Sequence, residues 1–175
     1  MIDKAVIDNC IKGKRGAQKT LYRAYAKKMF LISYRYVNQK EDAEEIVSEG
    51  FIKIFLNLPK LEYRNLPMLE AWMRKIIVNE SLMFLRKNQK IFGDESEYKK
   101  VGAAPEIESR LDAQVLYKMV LDLPHGYRTV FNLYALEGYS HKEISQKLDI
   151  SESTSRSQLA KARKLLKQRI SKSDL

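Results

Sequence analysis

The 175-residue chain has a single cysteine, Cys10, so no internal disulfide can form, and its two histidines are too few for a Cys/His zinc site. Glycine (7) and proline (4) are scarce, against about 12 and about 9 at average usage. An all-β chain spends many such residues on turns, so a helical fold is favoured. No apolar run approaches ~18 residues, which argues against a transmembrane helix. The opening stretch MIDKAVIDNCIKGKRG lacks the apolar centre of a secretory signal. The expectation is a cytoplasmic protein without stable membrane insertion. Paired carboxylates in a cleft context, a glycine-rich phosphate loop and a nucleophile beside a base are all missing, so no catalytic residue, cofactor or metal is expected. His125 and His141 stand alone in the sequence and are expected at surface or capping positions. Acidic residues are also in deficit: the net charge is +10 and the pI about 9.6. That imbalance points to a polyanionic partner.

The charge is unevenly placed. Residues 1–90 carry a net +8, residues 91–115 a net −3 and residues 116–175 a net +5. The acidic stretch QKIFGDESEYKKVGAAPEIES holds two of the seven glycines and one of the four prolines, without helical periodicity. It reads as a flexible linker between two domains. A long surface loop in one domain is the alternative, but loops beyond about 12–15 residues are uncommon inside compact domains. The expected layout is a domain at 1–90, a linker at 91–108 and a second domain at 109–175.

Apolar spacing of 3–4 residues predicts helices over 2–12, 14–37, 39–57 and 68–88 in the first part, with Asn38 and Glu41 at capping-box spacing. The third has one broad apolar stripe: Ala43, Ile46, Val47, Phe51, Ile54, Phe55 and Leu58. The fourth is apolar almost all round and is expected deep in a bundle. Residues 59–67 lie between them as a loop bracketed by prolines. The second part predicts helices over 106–121, 124–137, 140–148 and 152–170, with Gly138 ending the second and Ser140 and Glu143 forming a capping box. No strand pattern persists. The fold class is all-α, two small helical domains with a helix-turn-helix at the C-terminal end.

Three patterns carry chemistry. The last two helices, joined by Asp149-Ile150-Ser151, match helix-turn-helix layout. Leu159, Ala162, Leu166 and Ile170 form the expected buried seam of the second. Seven basic residues and no acidic one lie between Thr154 and Lys172, a one-signed surface suited to phosphate. Arg156, Ser157, Ala160 and Lys161 fall in the first turns, where a helix in the major groove meets base edges. Second, residues 41–49, EDAEEIVSE, hold five acids and no base. Asp42, Glu45, Glu49 and Ile52 share one side, either a solvated face or a face for a basic protein. Third, Lys75, Asn79 and Arg86 project from 68–88 within about 60° of one another. Tyr63, Trp72 and Phe84 are near enough in sequence to stack on single-stranded bases. A core role for Trp72 is the alternative.

The strings DAEEIVSEGFIKIF at 42–55 and AWMRKIIVNESLMFLRK at 71–87 resemble the −10-reading domain of bacterial sigma factors. The string LPHGYRTVFNLYALEGYSHKEISQKLDISESTSRSQLAKARKLL resembles the −35-reading domain. Their order and spacing resemble the small two-domain group, the extracytoplasmic-function (ECF) sigma factors. The resemblance implies a protein that binds core RNA polymerase and directs promoter-specific initiation. Asp42, Glu45, Ser48, Glu49 and Ile52 would meet the polymerase clamp. Tyr63, Arg64, Trp72, Lys75, Asn79 and Arg86 would handle the −10 strand. Thr154, Arg156, Ser157, Ala160, Lys161, Arg163 and Lys164 would contact the −35 duplex, with the same domain meeting the polymerase flap. Many relatives are also held inactive by an anti-sigma factor that clamps both domains. The chain departs from the pattern at Ser48, where many members have Gln, and at Ser155, where many have Val. By periodicity Ser155 lies on the seam, where its hydroxyl could bond back to the preceding turn. Ala160 is small where bulkier members probe bases. A helix-turn-helix regulator acting without polymerase would account for the C-terminal half alone.

Overall fold

The computed structural model describes residues 2–88 and 111–171. Among them there are eight α-helices and no strand: α1 (Lys4–Ile11), α2 (Arg15–Val37), α3 (Lys40–Asn57), α4 (Leu66–Lys87), α5 (Leu111–Leu121), α6 (His125–Phe131), α7 (His141–Leu148) and α8 (Glu152–Ile170). The expected linker, 91–108, and residues 106–110 of the helix expected from 106 lie outside the described residues. The chain divides into two compact units, Met1–Phe84 and Leu85–Leu175.

In the first unit α1, α2 and α3 pack side by side. The apolar stripe of α3 is buried as the spacing requires, through Ala43, Ile46, Val47, Phe51 and Ile54, with Leu58 closing the core from a single 3-10 turn, Leu58–Lys60. Each fully buried large aliphatic contributes roughly 1.5–3 kcal/mol. Gly50 lies on this stripe because α4 approaches closely: a Cβ there would run into the Ile77 side chain. Ion pairs tie α4 to its neighbours, Lys28 to Glu70 and Lys53 Nζ to Glu80 Oε2 at 2.6 Å.

Three expectations for this unit are corrected. Asn38 does not start α3. It sits in the left-handed region (φ 55°) as the C-cap of α2, and Gln39 is the N-cap of α3 without a side-chain bond. Asparagine serves either role, because its short amide tolerates positive φ as readily as it caps. The helix expected from 68 begins at Leu66, where Asn65 Oδ1 accepts from Met68 N at 2.9 Å. Pro67 falls in the first turn, where its missing N–H costs nothing. Nor is α4 sunk on every side. Leu69, Met73, Ile77, Val78 and Leu82 are buried, while Ala71, Lys75 and Met83 are exposed.

In the second unit α6 and α7 pack against α8. The helix expected over 124–137 is α6 followed by a π-helical turn, Asn132–Leu136. Gly138 closes it with φ 78°, and Tyr139 N donates to Leu133 O. Arg128 is fully buried: its Nη1 donates to Leu121 O (2.7 Å) and Leu123 O (3.0 Å), and its Nη2 meets His125 Nδ1 at 2.8 Å. His125 is therefore a partner of a buried guanidinium and not the isolated residue expected. At the far end of α8, Arg169 Nη1 and Nη2 donate to Met119 O and Asp122 O. Arg169 thus leaves the phosphate-facing set, while Ile170, expected in the seam, is 37% exposed. Two arginines together satisfy carbonyls at the C-terminal end of α5, where the helix cannot satisfy its own.

Candidate nucleic-acid interfaces

The helix-turn-helix is set by local chemistry. Ser140 Oγ accepts from Glu143 N, and Glu143 Oε2 accepts from Ser140 N at 2.8 Å, so the expected capping box opens α7. Asp149 takes the left-handed conformation (φ 54°, ψ 50°) to end it. Ser151 Oγ accepts from Thr154 N at 3.0 Å and starts α8. Ile144, Leu148, Ser155, Leu159 and Ala162 are buried between the two helices, with Ile150 half-buried in the turn.

On the opposite side of α8, Arg156, Ser157, Ala160, Lys161, Arg163 and Lys164 are all exposed. Thr154 is half-buried, its hydroxyl 2.8 Å from that of Ser151. At 100° per residue the exposed six fill an arc of about 160°, bounded by Arg163 on one side and Lys161 on the other. Both bounding cations rest on tyrosines: the Arg163 guanidinium is 5.5 Å from the Tyr134 ring and Lys161 Nζ is 5.7 Å from the Tyr127 ring. At exposed sites such contacts are worth about 0.5–1 kcal/mol each, enough to bias both side chains toward the rims. Arg156 Nη2 donates to Glu152 Oε2 at 3.0 Å.

Ser155 does not bond back along its helix. Its hydroxyl lies 2.8 Å from Nδ1 of His141, the first residue of α7, whose ring stacks on Tyr134 at 4.6 Å. The Ser-for-Val departure is thereby matched by a partner fourteen residues earlier, and His141 links α7, α8 and Tyr134. Burial, with Arg156 and then Arg163 nearby, pushes the His141 imidazole below its ordinary value of 6.5, against a smaller upward pull from Glu152. The depressed value fixes the sign of a pH effect. Below about 6.5 the unfolded chain takes up a proton that folded His141 resists. This share of stability is present at neutral pH and fades as pH falls. The melting-temperature gap between the parent chain and His141→Gln should accordingly narrow from pH 8 to pH 5; a constant gap excludes the linkage.

On α4, Lys75 and Arg86 are exposed and Trp72 and Asn79 half-buried. Tyr63 is half-buried before the helix, near Tyr25, whose phenol is pushed up by burial, by Glu70 and by Tyr63 itself. Arg64 is exposed and 3.5 Å from Glu62. Sequence reasoning missed Met83, which is 53% exposed and shares the side of Lys75, Asn79 and Arg86. The spacing was visible, but an apolar residue in that helix reads as core. On α3, Glu45, Ser48, Glu49 and Ile52 are exposed and Asp42 is half-buried. Leu56, 69% exposed, extends the apolar part of that face beyond Ile52 (51%). Its signal is again the step of four from Ile52.

No helix among the described residues is long and apolar enough to cross a membrane, and no group of potential ligands among them is arranged for a metal.

Comparison with known proteins matches both halves. Residues 21–91 match the sigma-70 region 2 family and residues 113–166 the sigma-70 region 4 family. The chain is 26% identical to the ECF RNA polymerase sigma-E factor of Haemophilus influenzae over 97% of its own length and 96% of that protein. It is 28% identical to the RNA polymerase sigma factor SigV of Bacillus subtilis, over 83% and 86% of the two chains. Among solved structures it shares the fold of the sigma factor RpoE of Bartonella quintana, crystallised with the anti-sigma factor NepR (TM-score 0.54, 21% identity, 90% of this chain and 98% of that one). With regions 2 and 4 in this order and ECF factors matched along nearly the whole length, the chain belongs to the sigma-70 family as an ECF-type, promoter-recognising RNA polymerase sigma factor.

Proposed function

We propose a division of labour between the two units. The first, residues 1–90, docks on the polymerase clamp through Asp42, Glu45, Ser48, Glu49 and Ile52 of α3. It captures the −10 strand with Tyr63, Arg64, Trp72, Lys75, Asn79 and Arg86. The second, residues 109–175, reads the −35 duplex with α8, through Thr154, Arg156, Ser157, Ala160, Lys161, Arg163 and Lys164, and meets the flap. Residues 91–108 link the two. The observation that carries this reading is the cationic arc of α8, exposed and lying opposite the buried Ser155, Leu159 and Ala162. Such a surface neutralises phosphates along one groove while its N-terminal turns reach base edges. On α4 a stripe of cationic and amide side chains beside aromatics suits unstacked bases.

The protein contributes binding energy to promoter opening and is not an enzyme; polymerase performs the chemistry, in the cytoplasm. An anti-sigma factor covering both units is a further partner, supported by the relative crystallised with NepR.

Arg156→Ala separates base contact from phosphate contact. If Arg156 reads a guanine, runoff transcription from core polymerase with this chain loses about 1–3 kcal/mol of discrimination at one −35 position. Equal loss on every promoter would make Arg156 a phosphate contact. A holoenzyme that initiates without regard to −35 sequence would remove α8 from promoter reading.

A further inference from the structure

Glu152 is the first residue of α8 and the only acid between positions 150 and 173. Its Oε2 accepts from Arg156 Nη2 at 3.0 Å, and both side chains stay open to solvent, 44% and 63% exposed. The helix dipole favours an acid at this end, which accounts for a carboxylate but not for its grip on the best-placed arginine of the arc. A carboxylate carried into a groove lined by phosphates is repelled unless it meets a donor. In the major groove the cytosine N4 amino group is the donor that acidic side chains accept from. Guanine and thymine offer acceptors there, and the adenine amino group lies beside the N7 acceptor. Arg156, biased along one edge by Glu152, keeps its other donors for a base.

We propose that Glu152 is a specificity-determining residue of the −35 contact, accepting from the N4 amino group of a cytosine while it holds Arg156 on a neighbouring guanine. This rests on the reading of α8 as the major-groove helix. Selection works partly by exclusion, because an acceptor placed opposite the carboxylate repels it. Glu152 opens α8 one helical turn before Arg156, so a groove that takes in the N-terminal turns of the helix brings both side chains to neighbouring base pairs.

The test uses the full chain with bacterial core RNA polymerase and a promoter library randomised across the −35 region, with transcripts sequenced. The parent should enrich cytosine at one position beside an enriched guanine. Glu152→Gln, an exposed isostere whose melting temperature is measured alongside, keeps an acceptor but gains an amide donor, so it should admit adenine and lose the cytosine preference by about tenfold. Its −10 preferences should be undiminished. Glu152→Ala should lose the cytosine preference equally and also blur the guanine. Unchanged base preferences in both variants overturn the proposal and leave the −35 reading by α8 standing. A parent holoenzyme that selects −10 sequences but nothing upstream overturns that reading, and the proposal with it.

Discussion

A Glu45→Lys, Glu49→Lys chain should bind core RNA polymerase at least tenfold more weakly than the parent, with its own melting temperature nearly unchanged. Both carboxylates are exposed on α3, on the side away from Ala43, Ile46, Val47 and Ile54, so reversing them disturbs no core contact. Exposed substitutions of this kind usually stay within about 0.5 kcal/mol of the parent stability. Their neighbours explain why the loss on binding is larger. Ile52 and Leu56 continue the same face with apolar side chains that nothing in the first unit covers. Exposed apolar side chains continuing a row of acids suit the docking role proposed for this face. Close charge pairs across an interface couple by about 1.5–7 kcal/mol, and like charges placed opposite add repulsion. Tenfold, about 1.4 kcal/mol, is therefore a floor. The parent's affinity should also weaken with salt, as the variant's residual affinity should not. Equal binding of parent and variant, measured by fluorescence anisotropy with labelled chain, would detach α3 from the clamp.

That face was legible because its signal is local. Acids at 42, 45 and 49 and apolar residues at 43, 46, 47, 51 and 54 separate cleanly at 3.6 residues per turn. The helix-turn-helix was legible for the same reason, since Ser140, Glu143 and Ser151 lie within three residues of the N–H groups they bond or cap. What stayed hidden is non-local or degenerate. Asn38 satisfies a capping-box spacing and a left-handed cap equally well, and packing chose between them. Ser155 was visible as a polar residue on a buried seam, but its partner His141 is fourteen positions away on another helix. The π-helical turn at Asn132–Leu136 carries no composition signal, because π turns arise from packing and not from propensity. Arg169 was counted with the basic residues of the last helix and Arg128 carried no signal of its own; only the carbonyls at the end of α5 reveal why both turn inward.

Arg128→Met should destabilise the second unit by about 2–4 kcal/mol, the largest single-residue loss of stability expected in it. Methionine fills similar volume and spares the desolvation of a buried charge, which works in the variant's favour. It cannot donate. The carbonyls of Leu121 and Leu123 then lose the Arg128 donor at a buried helix end, at roughly 1–3 kcal/mol each, and His125 loses its guanidinium. The donors outweigh the charge because one planar group serves three acceptors at once, a geometry that lysine cannot copy. Arg128→Lys should therefore recover only part of the loss. For a unit of this size the methionine variant's thermal transition should fall by roughly 10–25 °C in calorimetry. The consequence for function is specific. α6 packs against α8, so loosening the α5–α6 corner releases the support of α8. Promoter selection at −35 should fail at temperatures where the α3 face still binds polymerase. An Arg128→Met chain that melts like the parent would show that the buried guanidinium holds nothing the helices do not already hold themselves.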